Sequence, residues 1–584
     1  MKQFSNSLDF LNVYFSRYKK KLGFIFATIL FYTILQVIAP ILLGTAIGLI
    51  GENAIANDLT NTKFVYLVGI IFITFLLTSL TGFYYSFEFA NVVSKISHSM
   101  RVQLLKQIQK LTIFRLDSTK NGVLLSRFTN DLDNIQNGLS DTVLSLLSNS
   151  ILLLGFLAAM FIFNVRMALI TVCLTPLLLV ITFLLAYKGM YYAEKQQFEM
   201  AELNSMLDEA ISTHKVTILN NQYENVLKKF NQNNKQFSVV SYKAQLYSGM
   251  IQPIATAIYM MNTCLIIFYG ANIALFDTYN IGVSIALIVT YVQFCHDFYQ
   301  PLIDIATSYA KIQTTQTSIR RIFQIYQEPC ETVNEKKEEL AEIEEIEFRN
   351  VSFSYGEKEA LHNISFKLKK GEKLAIVGTT GSGKTTIINL LQRFYESFEG
   401  EILVNHKSIS DYSIDELRGR MGLVLQDTLL FSETISENIK FSLPNASQED
   451  IERVAKMVGV HEYINSLKSQ YETQISATND PFSNGQKQLL SLARTLLAKF
   501  ELVLLDEATS SVDTLTEEKL LDTIDEATAG KTVVVIAHRL KTVMNANHIL
   551  VLKEGKIIET GAHSDLLEKK GYYYETYRHQ FVFD

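Results

Sequence analysis

Cysteine, proline and concentrated positive charge are all scarce in this chain, and each shortage removes a class of explanation. Only four cysteines occur in 584 residues: Cys173, Cys264, Cys295 and Cys330. None forms a CxxC pair or stands at metal-ligand spacing, so neither a disulfide framework nor a zinc site organises the fold. Three of the four lie in apolar stretches, where a thiol behaves as a small buried hydrophobe. The formal net charge is −6. No basic groove with interleaved aromatics appears, so nucleic acid is not an expected partner. Of the seven prolines, Pro40, Pro176, Pro253 and Pro301 fall in apolar segments, where they are expected to kink helices and offer no chemistry.

What the chain does have is two unlike halves. Uncharged runs cover 22–50, 64–87, 142–165, 167–187, 244–276 and 278–295. The sixth reaches membrane-spanning length only when continued to Ile303, which takes in His296 and Asp297. A bilayer core needs about 20 apolar residues as helix, so six crossings are predicted in a transmembrane domain over 1–326. The first run follows Lys19-Lys20-Lys21; it is too long for a signal-peptide core and lacks a small-residue cleavage site. Lys and Arg concentrate before the first run and in the stretch 88–141. The positive-inside rule then puts both termini and the long connections in the cytoplasm. Those connections, 88–141 and 188–243, have helical apolar spacing and few glycines or prolines. If each runs out and back as two helices it reaches about 40 Å, turning near Phe114–Asp117 and near Thr213–Lys215.

After an acidic, lysine-rich linker over 327–342 the pattern becomes short β runs alternating with helices, as in a parallel sheet with crossover helices. The strand Lys373–Val377 opens into Gly378, Thr379, Thr380, Gly381, Ser382, Gly383, Lys384 and Thr385, followed by Thr386. This is a P-loop: glycines let backbone N–H groups wrap phosphates, Lys384 reaches β/γ oxygens, and Thr385 can hold Mg²⁺. The run Leu502–Leu505 ends in Asp506 and Glu507. Asp506 is placed to reach the metal and Glu507 to polarise the attacking water, since phosphoryl transfer needs positioning and charge neutralisation above all. A solvated acidic pair at a strand end is the plainer alternative. Val533–Ile536 is a further buried run leading to His538, either a γ-phosphate contact or a structural histidine.

With these residues in place, the chain resembles the ABC transporter superfamily along its whole length. Tyr355 matches the adenine-stacking aromatic, Gly378–Thr385 the Walker A loop, and Gln426 the Q-loop residue that joins Thr385 and Asp506 around Mg²⁺. Ser483, Asn484, Gly485 and Gln486 match the signature, Asp506-Glu507 Walker B, Asp513 the D-loop and His538 the switch histidine. The resemblance implies a half-size exporter: a six-helix transmembrane domain with long helical arms, then an α/β nucleotide-binding domain over 343–584. It implies ATP and Mg²⁺ as cofactors, the lipid bilayer of a bacterial plasma membrane as its setting, and a second half-transporter subunit as partner. Glu507, His538 and Gln426 would be catalytic, and the tips near 115 and 216 would be coupling helices.

One motif departs from the pattern. The family sequence is Leu-Ser-Gly-Gly-Gln, and here it is Phe482-Ser483-Asn484-Gly485-Gln486. Asn484 adds a side chain where backbone should approach the γ-phosphate and gives up the φ freedom of glycine. The stretch upstream, Thr473–Asn479, also lacks the family's usual Glu and Arg. Since Glu507 and the rest of the chain's own Walker side are intact, the division resembles one subunit of heterodimeric bacterial multidrug exporters. A homodimer that tolerates Asn484 is the alternative. In the membrane half, His296 and Asp297 read either as a cation-attracting or proton-linked pathway position or as an interhelical hydrogen bond. Two functions fit this sequence: an ATP-driven exporter of small amphiphilic or drug-like substrates, with lipid or peptide as variant cargo, and an ATP-gated channel or regulator on the same fold.

Overall fold

The structure is a computed structural model. It describes residues 7–56, 62–119, 121–276, 281–331, 339–356, 358–425, 428–476, 480–498, 500–506, 522–537 and 540–581. Two compact units result. One comprises Met1–Lys110 and Thr119–Glu328, the other Leu111–Ser118 and Pro329–Asp584.

The first unit is helical. Five of its described stretches are long and apolar enough to cross a bilayer: Lys19–Ile50, Lys63–Ile108, Gly122–Phe163, Val165–Ser212 and Tyr223–Ile273. The sixth predicted run forms the front of a single helix, Ile281–Gln327, whose described side chains begin at residue 285. Large apolar side chains such as Phe72, Phe83, Ile162, Phe183 and Phe268 point outward. A soluble surface rarely presents so much contiguous apolar area, whereas hydrocarbon accepts it. Polar anchoring is inside. Tyr291 is fully buried among Phe156, Phe294 and Phe298, and its hydroxyl donates to the carbonyls of Met160 (2.6 Å) and Asn164 (2.9 Å). Asn164, in extended backbone, caps the helix Val165–Cys173 by accepting from the N–H groups of Arg166 and Met167. That cap makes the tight turn between the third and fourth runs and satisfies donors that lipid could not.

The prolines divide into two kinds. Pro40 and Pro301 lie inside helices. Pro176 sits in the first turn of Thr175–Ser212, and Pro253 near the start of Ile251–Phe276. At those last two positions proline starts a helix and is not a kink in its middle, because the first-turn N–H has no intrahelical partner to lose.

The second unit holds two sheets. An antiparallel sheet runs in the order β2 (Lys358–Lys369), β1 (Glu345–Tyr355), β4 (Glu399–Val404), β5 (Lys407–Ser408). The other has the order β10 (Lys556–Gly561), β9 (His548–Lys553), β3 (Lys373–Gly378), β8 (Thr532–Ile536), β7 (Leu502–Asp506), β6 (Met421–Val424). Strands β9 to β6 of this order are mutually parallel, and β10 is an antiparallel edge. The parallel strands are apolar on both faces, as a doubly covered sheet requires. Leu374, Ile376, Leu504 and Val534 face one buried cluster, and Ala375, Val377, Val503, Leu505 and Val535 the other. Leu340 is also buried in this unit, so packing begins within the stretch read as linker. The residues of Leu111–Ser118, at the first predicted tip, pack with this soluble unit. The second tip, helix His214–Leu219, contains no buried residue.

Candidate functional site

Strand β3 delivers the P-loop to the C-terminal edge of the parallel sheet, where ligands of such sheets gather. The loop closes on two glycines in left-handed backbone, Gly381 (φ +82°) and Gly383 (φ +100°). A Cβ at Gly383 would lie 2.7 Å from the carbonyl of Ala360 and 2.6 Å from Leu361, so both φ and space demand glycine there. Beyond it the helix Lys384–Leu391 begins. The Lys384 ammonium is buried and donates to the loop's own carbonyls, Gly378 (2.8 Å) and Thr379 (3.0 Å). Thr385 Oγ1 donates to Asp506 Oδ2 at 3.4 Å. The P-loop and the end of β7 are thereby brought together across 121 residues of chain.

Tyr355 ends β1 and turns back into β2, pairing with Lys358. Its hydroxyl lies 3.4 Å from Thr386 Oγ1 and 3.5 Å from Asn389 Nδ2, both on the P-loop helix. An aromatic face and a phosphate-binding loop thus border one cleft of about 330 Å³, which Lys384, Thr385 and Asp506 also line. The size, the apolar end and the cationic end suit a nucleoside triphosphate.

Burial dominates the charges here. It raises the Asp506 carboxyl above the ordinary aspartate range, although the Thr385 hydrogen bond and the Lys384 charge pull the other way. Burial also lowers the Lys384 ammonium, against the attraction of Asp506. Each ion is partly desolvated and incompletely paired, which favours an incoming ligand that carries the missing charges.

The signature forms a separate feature. Ser483 caps the helix Asn484–Leu497 in a full capping box. Its hydroxyl accepts from the Gln486 N–H (3.3 Å), and its own N–H donates to Gln486 Oε1 (2.9 Å). Asn484 is therefore the first helical residue. It is absent from the non-glycine residues with positive φ, which corrects the expectation that glycine's φ freedom is lost here: an ordinary helical start never uses it. What remains of the substitution is an exposed amide side chain in front of buried Gly485. Lys487, the basic residue after the motif, pairs with Asp480 at 2.5 Å. Burial alone would raise the Asp480 carboxyl, but Lys487 and the Phe482 N–H hold it below the usual range.

Gln426, Glu507, Asp513 and His538 lie outside the described residues. Of the remaining expected positions, the structure joins Tyr355, Thr380, Gly381, Gly383, Lys384, Thr385, Thr386 and Asp506 around one cleft. Ser483 to Gln486 are not among the residues lining it. Tyr395 was not singled out from the sequence. Buried and ring-to-ring with Tyr355 (5.1 Å), it also donates to Asp117 (3.0 Å). The family description "ABC transporter transmembrane region" matches residues 22–296, and "ABC transporter" matches residues 361–510. The chain is 31% identical to a Bacillus subtilis (strain 168) protein named as an uncharacterized ABC transporter ATP-binding protein, YfiC, across 94% of this chain and 92% of that one. It is 33% identical to YheH of the same organism, named as a probable multidrug resistance ABC transporter ATP-binding/permease protein, across 83% and 72%. In fold it is similar to a bacterial Atm1-family ABC exporter solved with ATP bound, at a TM-score of 0.75 and 22% identity over 94% of this chain and 98% of that one. A transmembrane region and an ATP-binding domain in one chain, matched nearly end to end by such relatives, make this protein a member of the ABC transporter family, a half-size exporter that couples ATP hydrolysis to transport.

Proposed function

We propose that this chain is the Walker-competent half of a heterodimeric exporter that moves amphiphilic or drug-like molecules outward across a bacterial plasma membrane, with both termini in the cytoplasm. The observation that carries this reading is an imbalance within one domain. Tyr355, Lys384, Thr385 and Asp506 line one cleft of the chain's own, with the Tyr355 hydroxyl beside Thr386 and the Thr385 hydroxyl beside Asp506. Its signature helix presents Asn484 where the family has glycine. Thr385 and Asp506 offer adjacent hard oxygen donors, the kind Mg²⁺ takes alongside phosphate oxygens. Glu507, directly after β7, would orient the attacking water, His538 and Gln426 would sense the γ-phosphate and metal, and Asp513 would face the partner.

ABC exporters work as dimers of half-transporters, so Ser483, Asn484, Gly485 and Gln486 would close on the partner's nucleotide. The multidrug name of YheH supports a drug-like cargo, as do the aromatic-rich helices of the first unit. The deciding experiment is vanadate-sensitive, ATP-dependent uptake of a hydrophobic dye into inside-out vesicles. Concentrative uptake is expected. Dye movement that only equilibrates, with ATP needed for opening alone, would instead establish a gated channel.

A further inference from the structure

We infer that Tyr463 and the Asp480–Lys487 pair are positioning residues for the signature, holding the start of the helix Asn484–Leu497 where its open N–H groups can meet a phosphate on the partner subunit. This rests on the dimer reading above, in which the signature closes on the partner's nucleotide.

The first N–H groups of any helix lack an intrahelical acceptor, and here most of them are already used. The N–H of Phe482 donates to Asp480 Oδ1 (3.1 Å) and that of Ser483 to Gln486 Oε1 (2.9 Å). The N–H of Gln486 donates to Ser483 Oγ (3.3 Å) and that of Lys487 to the Ser483 carbonyl (2.9 Å). Among the described residues, none accepts from the N–H of Asn484 or Gly485. Those two donors stand at the positive end of the helix, where an anionic oxygen is favoured.

Where they point is set by the loop that enters the helix. Asp480 ties this loop to both sides of the cap: its carboxylate accepts from Phe482 before the helix and pairs with Lys487 Nζ (2.5 Å) one turn into it. The next residue is held from outside. The Tyr463 hydroxyl donates to the Pro481 carbonyl (2.5 Å), and its ring packs against buried Phe482 at 5.6 Å.

Tyr463 is itself anchored. It lies on the short helix His461–Ser466, and His461 Nδ1 shares a hydrogen bond with the hydroxyl of buried Tyr471 (2.9 Å). Just beyond Tyr471 the chain is pinned in both directions. Ile435 N–H donates to the Thr473 carbonyl (3.1 Å), and Ile475 N–H to the Glu433 carbonyl (3.0 Å). The helix bearing Tyr463 is therefore a strut between that backbone bridge and the signature loop.

The Asp480–Lys487 pair has a second effect. A carboxylate beside a helix start repels phosphate, and Lys487 cancels that charge at contact distance, where the Coulomb energy is greatest. Both side chains are about a quarter exposed, 24% for Lys487 and 29% for Asp480, so water screens the pair only in part.

The test uses the full-length chain assembled with its partner subunit in nanodiscs, in a Glu507→Gln background that slows turnover. It follows release of radiolabelled Mg²⁺-ATP into excess unlabelled ATP. Tyr463→Phe keeps the ring against Phe482 and deletes only the hydroxyl, so release should quicken about fivefold, the share of one neutral hydrogen bond. Lys487→Gln leaves the Asp480 charge uncancelled and should quicken release about tenfold or more. Adding Asp480→Asn to Lys487→Gln should bring release back to within about twofold of the parent, a rescue that lost packing would not permit. In all three the melting temperature, and trinitrophenyl-ATP binding to the chain's own Lys384 cleft, should stay unchanged. Unchanged release in both single variants would overturn the inference. So would absence of the rescue, which would put Lys487 itself on the phosphate, or release that quickens only in step with a falling melting temperature. Ser483→Arg, which obstructs the helix start, checks the underlying reading separately. If it leaves release unaltered, the signature does not close on nucleotide, and the inference falls with that reading.

Discussion

At Asp506 burial works against the ionised side chain in the nucleotide-free fold. Its carboxyl is raised by burial, so the folded chain holds its proton more tightly than the unfolded chain does. A raised folded value means that its contribution to stability is complete below the unfolded aspartate range and is lost as pH rises through the folded value. At neutral pH the ionised form therefore costs the nucleotide-free domain some stability. Asp506→Asn should raise the melting temperature without nucleotide at pH 8, and the gain should shrink as pH falls toward 5. The same variant should lose at least about tenfold in Mg²⁺-dependent nucleotide affinity, roughly 1.4 kcal/mol. Thermal unfolding with and without Mg²⁺-nucleotide at the two pH values measures both. A nucleotide-free variant less stable than wild type at pH 8 would mark Asp506 as a structural counter-ion of Lys384.

Among elements, the short helix Ile113–Ser118 and the β1 hairpin end are linked through one side chain. Tyr395 is 8% exposed. It stands edge-on to Phe114 (6.1 Å) and to Tyr355 (5.1 Å), while its hydroxyl donates to Asp117. Tyr395→Phe keeps both ring contacts and deletes the hydrogen bond to a carboxylate, a loss of about 1.5–3 kcal/mol. Amide hydrogen exchange in residues 113–118 should quicken by about tenfold or more, with the β-sheets unaffected. Unchanged exchange would show that apolar packing alone holds the segment.

This contact also marks where reading in one dimension ends. The P-loop was legible because glycine spacing, a preceding apolar strand and a following helix all lie within a dozen residues. Thr385 and Asp506 could each be named, yet their 3.4 Å approach depends on sheet order, which places β8 between β3 and β7. Ser483 and Gln486 are a capping box in plain sequence, and that cap is what fixes Asn484 in ordinary helical backbone. Reading Asn484 as a missing glycine overlooked it. Tyr395 and Asp117 are 278 residues apart, and no local pattern flags them.

For the whole molecule, the asymmetry of the signature becomes a statement about two ATP sites. If this chain supplies Lys384, Asp506, Glu507 and His538 to one interface, that site needs a partner with a normal Leu-Ser-Gly-Gly-Gln and should hydrolyse ATP. On the same reading the opposite site would be closed by Ser483, Asn484, Gly485 and Gln486, and should chiefly hold nucleotide against a partner with a weakened Walker side, most simply Asp in place of Glu507. Since Asn484 is not among the residues with positive φ, any effect of the substitution would come from its amide side chain. Asn484→Gly should then raise turnover of the pair no more than about twofold, because the site it repairs still lacks its base. Glu507→Gln should lower turnover at least about tenfold, a barrier rise of about 1.4 kcal/mol, while nucleotide binding stays near normal. Purified alone, this chain should have low ATPase activity, and co-expression with its partner should restore it. Full, substrate-stimulated turnover from the chain by itself would identify a homodimer that tolerates Asn484, with two equivalent sites.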